Sequence, residues 1–125
     1  MNRLRAVVKQ IIPLKRLNLI KFDFNSHEIN VLILEMNISL DVGKKAELIV
    51  KPTAVSVLNE YCGFENVLRG KVKSVKKGDI LASVKVDVCG VEIESVLLKE
   101  KADFKEDVFV VFKANDIAVS KVLDD

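Results

Sequence analysis

The sequence predicts an all-β fold made of two tandem small β-barrels, on three observations. The apolar half of the chain is mostly Val, Ile and Leu, with six Phe, one Tyr and no Trp, and β-branched residues favour strands. Several segments alternate apolar and polar residues with period two. The sequence also matches itself when it is slid along by 64 residues.

The self-match is the strongest of the three. Identical pairs run from Asn2/Asn66, Leu4/Leu68, Arg5/Arg69, Val8/Val72 and Lys9/Lys73 through Leu17/Leu81, Lys21/Lys85 and Asp23/Asp87 to Glu28/Glu92, Ile29/Ile93 and Leu34/Leu98. About a third of the positions from Asn2 to Met36 are identical without a gap. Beyond Met36 the offset falls to 62, pairing Asp41 with Asp103, Lys51 with Lys113 and Val57 with Val119. Two extra residues therefore belong near 35–40, where a loop absorbs them. The expected units are 1–60 and 64–125, joined at Glu60–Gly63. A repeat this long sets the architecture before any local reading does.

Each element of the second unit follows in order. Leu68, Gly70, Val72 and Ser74 alternate with Arg69, Lys71, Lys73 and Val75, which predicts a strand. Gly78–Asp79 supplies a turn. Ala82, Val84, Val86 and Val88 then alternate with Ser83, Lys85 and Asp87, giving one buried face and one wet face. Cys89–Gly90 turns the chain into a strand over 91–97, as Asn25–Ser26 does in the first unit. A single helical turn is expected within 98–104. Val108–Phe112 is apolar at every position, so alternation fails there. Such a run is expected to be buried on both faces, and Leu48–Val50 plays the same part in the first unit. Units of about 60 residues make marginal cores. That predicts units packed together and a homo-oligomer, a dimer or trimer.

Composition excludes several classes. With 20 basic and 18 acidic residues the net charge is +2, and the interspersed signs call for no nucleic acid partner. Small anions need only local donors. The apolar part of MNRLRAVVKQIIPLK is too short and interrupted for secretion or membrane spanning. With only Cys62 and Cys89, no disulfide framework is expected. The expectation is a cytoplasmic protein with both cysteines as small hydrophobes. No phosphate loop, dinucleotide fingerprint or helix-turn-helix segment is visible. His27 has no partner cluster and reads as an exposed loop residue. Glu92 and Glu94 lack an acid/base partner, so the chain reads as a binder and not an enzyme. Lys71-Val-Lys-Ser-Val-Lys-Lys is the densest basic stretch. Phe22 and Phe24, however, fall on the core face, leaving no aromatic platform for stacking bases.

Three segments carry a family resemblance. They are Asn66-x-Leu-x-Gly-Lys-Val, then Ala82-x-Val-x-Val-x-Val-x-Gly-x-x-Ile-x-Ser95, then Phe112-Lys113-Ala114-Asn115-Asp116-Ile117. Together they resemble the molybdate-binding Mop/TOBE domain, once per repeat, in the paired arrangement of molbindins. The resemblance implies OB-like barrels that bind molybdate or tungstate oxyanion where units meet, with no organic cofactor. It further implies a site built from a Ser-Ala-Arg-Asn stretch before the first strand and a Lys-Ala/Ser-Ser/Thr stretch after the last. A tetrahedral dianion needs convergent N–H and O–H donors and a positive charge.

Carried over residue by residue, the resemblance implies that Lys113, Ala114 and Asn115, with Lys51 and Thr53, form the second segment. Pro52 has no backbone N–H to give. The first segment reads Gly63-Phe64-Glu65-Asn66, with glutamate in the arginine position, and only Asn2 remains of it in the first copy. A carboxylate ~4 Å from a bound anion costs about 4 kcal/mol per unit charge pair at an effective dielectric of ~20. One charged hydrogen bond returns only about 1.5–3 kcal/mol. Two orientations are open: Glu65 turned into the crevice, where it defeats tight binding, or turned outward, leaving the N–H groups of Phe64, Glu65 and Asn66 as donors. Arg69, on the same strand face, would offset part of the charge. The first reading is a molybdate or tungstate binder that buffers, stores or senses the ion. Its rival is a degenerate TOBE accessory module that has lost the ligand and docks on a molybdate transporter component or regulator.

Overall fold

A computed structural model describes residues 1–34 and 39–123. Among the described residues ten strands form two five-stranded antiparallel sheets. The first half supplies β1 (Asn2–Pro13), β2 (Asn18–Phe24), β3 (His27–Ile33), β4 (Lys45–Val50) and β5 (Ser56–Leu58). The second supplies β6 (Asn66–Lys77), β7 (Leu81–Val88), β8 (Val91–Leu98), β9 (Asp107–Phe112) and β10 (Ile117–Leu123). Two short 3-10 turns, Pro52–Ala54 and Lys99–Lys101, complete the elements among the described residues. The second lies where the sequence predicts one helical turn. The inserted pair expected near 35–40 falls largely outside the described residues.

Sheet order is β10-β4-β1-β2-β3 in one sheet and β5-β9-β6-β7-β8 in the other. The orders correspond strand for strand, with the outermost strands exchanged. Residues 1–60 and 64–125 therefore each put four strands into one sheet and lend a fifth to the other. Ile117 pairs with Val50 in one sheet, and Val57 with Val110 in the other. The exchange ties the halves together through backbone hydrogen bonds.

Local chemistry explains the hairpins. Asn25 and Ser26 have φ of 46° and 73°, and Cys89 and Gly90 have φ of 51° and 84°. Two successive positive φ values define the tight turn whose twist matches antiparallel strands. β1 and β6 are long because each pairs with two neighbours in succession. β1 pairs with β4 through residue 7 and with β2 onward, and β6 shifts from β9 to β7 at Lys71. Each carries a bulge, between Val8 and Gln10 and between Val72 and Ser74. A bulge bends and twists its strand, which coils the sheet toward a barrel.

The core is continuous across both sheets. Leu4, Ile20, Phe22, Phe24, Ile29 and Leu48 meet Leu68, Val84, Val86, Ile93, Val110 and Phe112 in one buried cluster. Phe22 and Phe24 are packing residues, as alternation predicts. In β9, Val108, Val110, Val111 and Phe112 are buried, so both faces are largely covered. Phe109 is half-buried, edge-on to Tyr61 at 5.8 Å with the Arg69 guanidinium 5.9 Å above its ring.

Two expectations need correction. Neither cysteine is a buried hydrophobe, for both are exposed. Cys62 lies in the linker and Cys89 at a hairpin tip, where a left-handed turn directs its side chain outward. His27 is no loop residue but the first residue of β3, half-buried. The two-residue turn before it leaves no loop to occupy. Its ring lies 6.5 Å from that of Phe24, and its Nδ1 is 3.8 Å from the Cys89 sulfur.

Candidate functional site

Two turns carry the predicted lysines, and both form in the same way. β4 runs into Lys51–Pro52–Thr53 before β5, and β9 runs into Lys113–Ala114–Asn115 before β10. The Ala54 N–H donates to the Lys51 carbonyl at 2.9 Å, and the Asp116 N–H to the Lys113 carbonyl at 3.1 Å. Each turn lies against a strand of the opposite sheet. The Leu32 N–H from the β3 hairpin donates to the Ala114 carbonyl at 2.9 Å. The Ser95 hydroxyl from β8 donates to the Val55 carbonyl, just past the first turn, at 2.6 Å. The turns thus sit on the seam between sheets.

Lys51 and Lys113 are exposed, as are Thr53 and Asn115, while Ala114 is buried. Among the described residues neither lysine has an ion-pair partner, and the Thr53 and Asn115 side chains have no hydrogen-bond partner. Each turn therefore offers one uncommitted cation and one uncommitted polar side chain.

The segment before β6 reaches the second turn. Glu65 Oε1 accepts the Ala114 N–H at 2.8 Å, so the carboxylate faces the second turn while the residue stays exposed. Phe64 stays exposed. Arg69 lies over Phe109, where it makes no ion pair with Glu65. A short charge-assisted bond of this kind is roughly twice as strong as a neutral one.

The Asn66 side chain is engaged across the seam. The residue is 1% exposed, and its side chain is engaged by one residue of β3. Oδ1 accepts the Asn30 N–H at 2.7 Å and Nδ2 donates to the Asn30 carbonyl at 2.9 Å. Asn30 Nδ2 in turn donates to the Glu65 carbonyl at 2.9 Å. The identical clamp recurs 64 residues earlier. Asn2 Nδ2 donates to the Glu94 carbonyl and Asn2 Oδ1 accepts the Glu94 N–H, each at 2.8 Å. Both asparagines thus close the seam by mimicking a strand partner. Asn30 and Glu94 were missed in the sequence because their partners come from the other half. The signal available was the pairing of Asn2 with Asn66.

The basic stretch of β6 is partly neutralised. Lys71 lies 3.8 Å from Glu106 and 3.5 Å from Asp107, and Lys73 lies 3.6 Å from Glu92. A groove of about 540 Å³ opens elsewhere, lined by Lys77, Asp79, Ile80, Leu98, Lys99 and Asp103 among others. No predicted site residue lines it. Among the described residues no cluster of three metal-ligating side chains occurs, and no helix is long and apolar enough to cross a membrane.

No family model and no curated protein sequence matches the chain. Solved structures do match. The cytoplasmic molybdate-binding protein ModG, crystallised with molybdate bound, superposes with a TM-score of 0.87 at 20% identity. The match covers 96% of this chain and 95% of that one. At this identity the likeness carries the fold alone, the all-β architecture that the two proteins share.

Proposed function

We propose that this chain is a binding protein, not an enzyme, which reversibly captures molybdate or tungstate in the cytoplasm for buffering, storage or sensing. The observation that carries this reading is that nearly the whole chain takes the fold of a protein crystallised with molybdate. The two seam turns supply what a dianion needs: Lys51 with Thr53 in one, Lys113 with Asn115 in the other. The units 1–60 and 64–125 are read as products of an internal duplication. A homo-oligomer of two or three chains would bring further seams together, and no organic cofactor is invoked.

Titration calorimetry with molybdate, tungstate and sulfate tests the proposal. Saturable heat at micromolar molybdate or tungstate, with weaker heat from sulfate, is the expected result. Absence of heat from all three ions overturns it.

A second reading is favoured by one contact. The Ala114 N–H is already engaged by Glu65, and Pro52, at the corresponding position of the first turn, has no N–H to offer. Under this reading the chain is an accessory module that keeps the fold and docks on a molybdate transporter component or regulator. Co-purification with such a partner in the absence of anion binding would select it.

A further inference from the structure

Positions 52 and 114 correspond at the offset of 62, and neither presents a free backbone N–H. In the first turn the donor is missing by covalent structure, since proline has none. In the second it exists but is taken by the Glu65 carboxylate at 2.8 Å. The second loss is reversible. Asn30 Nδ2 holds the Glu65 carbonyl and the Asn30 backbone holds the side chain of the next residue, Asn66, while Glu65 itself remains exposed. The carboxylate can leave the Ala114 N–H by side-chain rotation alone, without moving a strand. Once it leaves, the Ala114 N–H stands beside the uncommitted Lys113 and Asn115. The residue corresponding to Glu65 in the first half is Met1, which carries no side-chain carboxylate.

We propose that Glu65 is a tethered occupant of the second turn. Its carboxylate oxygen stands where an oxygen of an external anion would sit, and an anion enters only by displacing it. The inference rests on the oxyanion reading and adds its regulation. One of the two seam turns is gated by a competitor carried on the chain, and the other is not. Displacement exchanges one charge-assisted hydrogen bond for another. Removing the competitor therefore tightens anion binding at this turn by about tenfold or more, the equivalent of one such bond.

The test uses the full-length protein and its Glu65→Ala variant, with Glu65→Gln as a second variant that keeps the side-chain size. The Ala114 amide is followed by ¹⁵N NMR and hydrogen exchange while molybdate, and separately acetate, is titrated in. The expected result has three parts. The amide shifts and loses protection in Glu65→Ala, acetate restores it, and molybdate binds that variant about tenfold more tightly or better than the parent. Glu65→Gln, which removes the charge, also binds more tightly than the parent. An Ala114 amide that is the same in the parent and Glu65→Ala overturns the proposal. So does equal molybdate affinity in the two proteins, a result that leaves the oxyanion reading standing. If acetate restores the amide but molybdate binds neither protein, the tethered occupant stands and molybdate falls as the ligand.

Discussion

Asn66 illustrates how a residue's job depends on partners that its own neighbourhood does not reveal. It lies in the segment that the family pattern assigns to the anion, and its amide bonds Asn30 across the seam. Replacing it by alanine leaves a backbone N–H and a carbonyl of Asn30 without partners in a partly buried place. That costs about 1–3 kcal/mol for each group left unsatisfied. Chemical denaturation of Asn66→Ala is expected to show a loss of about 2 kcal/mol or more, and Asn2→Ala a similar one. Exposed charges act more weakly and through pH. The hydrogen bond from Lys105 holds the Glu60 carboxyl below the usual 4.5, and that from Lys9 does the same for Glu28 against a smaller desolvation effect. A carboxyl lowered in the folded state contributes stability above its unfolded value and loses it as pH falls through the folded one. The melting temperature is therefore expected to decline below about pH 4.5. In Lys105→Ala, a ¹³C NMR titration should show the Glu60 carboxyl returning toward its usual value.

At the level of the element, the repeat makes its own comparisons. Gly70 corresponds to Ala6 at the 64-residue offset, but the two positions are not interchangeable. A Cβ on Gly70 would meet a Val86 methyl at 2.5 Å and the Asp87 carbonyl oxygen at 2.8 Å. Gly70→Ala is expected to cost about 1–3 kcal/mol by overpacking, read by thermal or denaturant unfolding. The hairpin turns invite the opposite change. Ser26 has φ of 73° where the second half has Gly90, and a left-handed non-glycine residue costs about 1–2 kcal/mol. Ser26→Gly should raise stability by up to about 1 kcal/mol, once the extra freedom of glycine in the unfolded chain is subtracted. The hairpin turns and the short helical turn within 98–104 were legible from alternation and turn chemistry, whereas the bulges of β1 and β6 were not. The exposure of Cys89 and the place of His27 were not, because side-chain direction at a tight turn depends on φ, which residue type alone does not dictate.

For the whole molecule, the self-match made the corresponding strand orders of the two sheets legible, but not the exchange of the outer strands. Nothing in the alternation of residues 56–58 or 117–123 distinguishes pairing within a half from pairing across halves, since the apolar pattern is the same either way. The exchange has a consequence for stability. Ending the chain at Asp116 would strip β10 from β4 and uncover Ile117's place in the core, including the edge at Ala46–Val50. Such a protein is expected to lose at least about 3 kcal/mol, and to aggregate through the bared strand edge. The seam that the exchange creates is also where the proposed anion site lies. The most direct test is anomalous X-ray diffraction from crystals grown with tungstate. The account predicts a tungsten peak at the Lys113–Asn115 turn facing β3, with the Glu65 carboxylate swung away from the Ala114 N–H. A peak confined to the groove lined by Ile80 and Leu98, or crystals without any ordered tungsten, would contradict it.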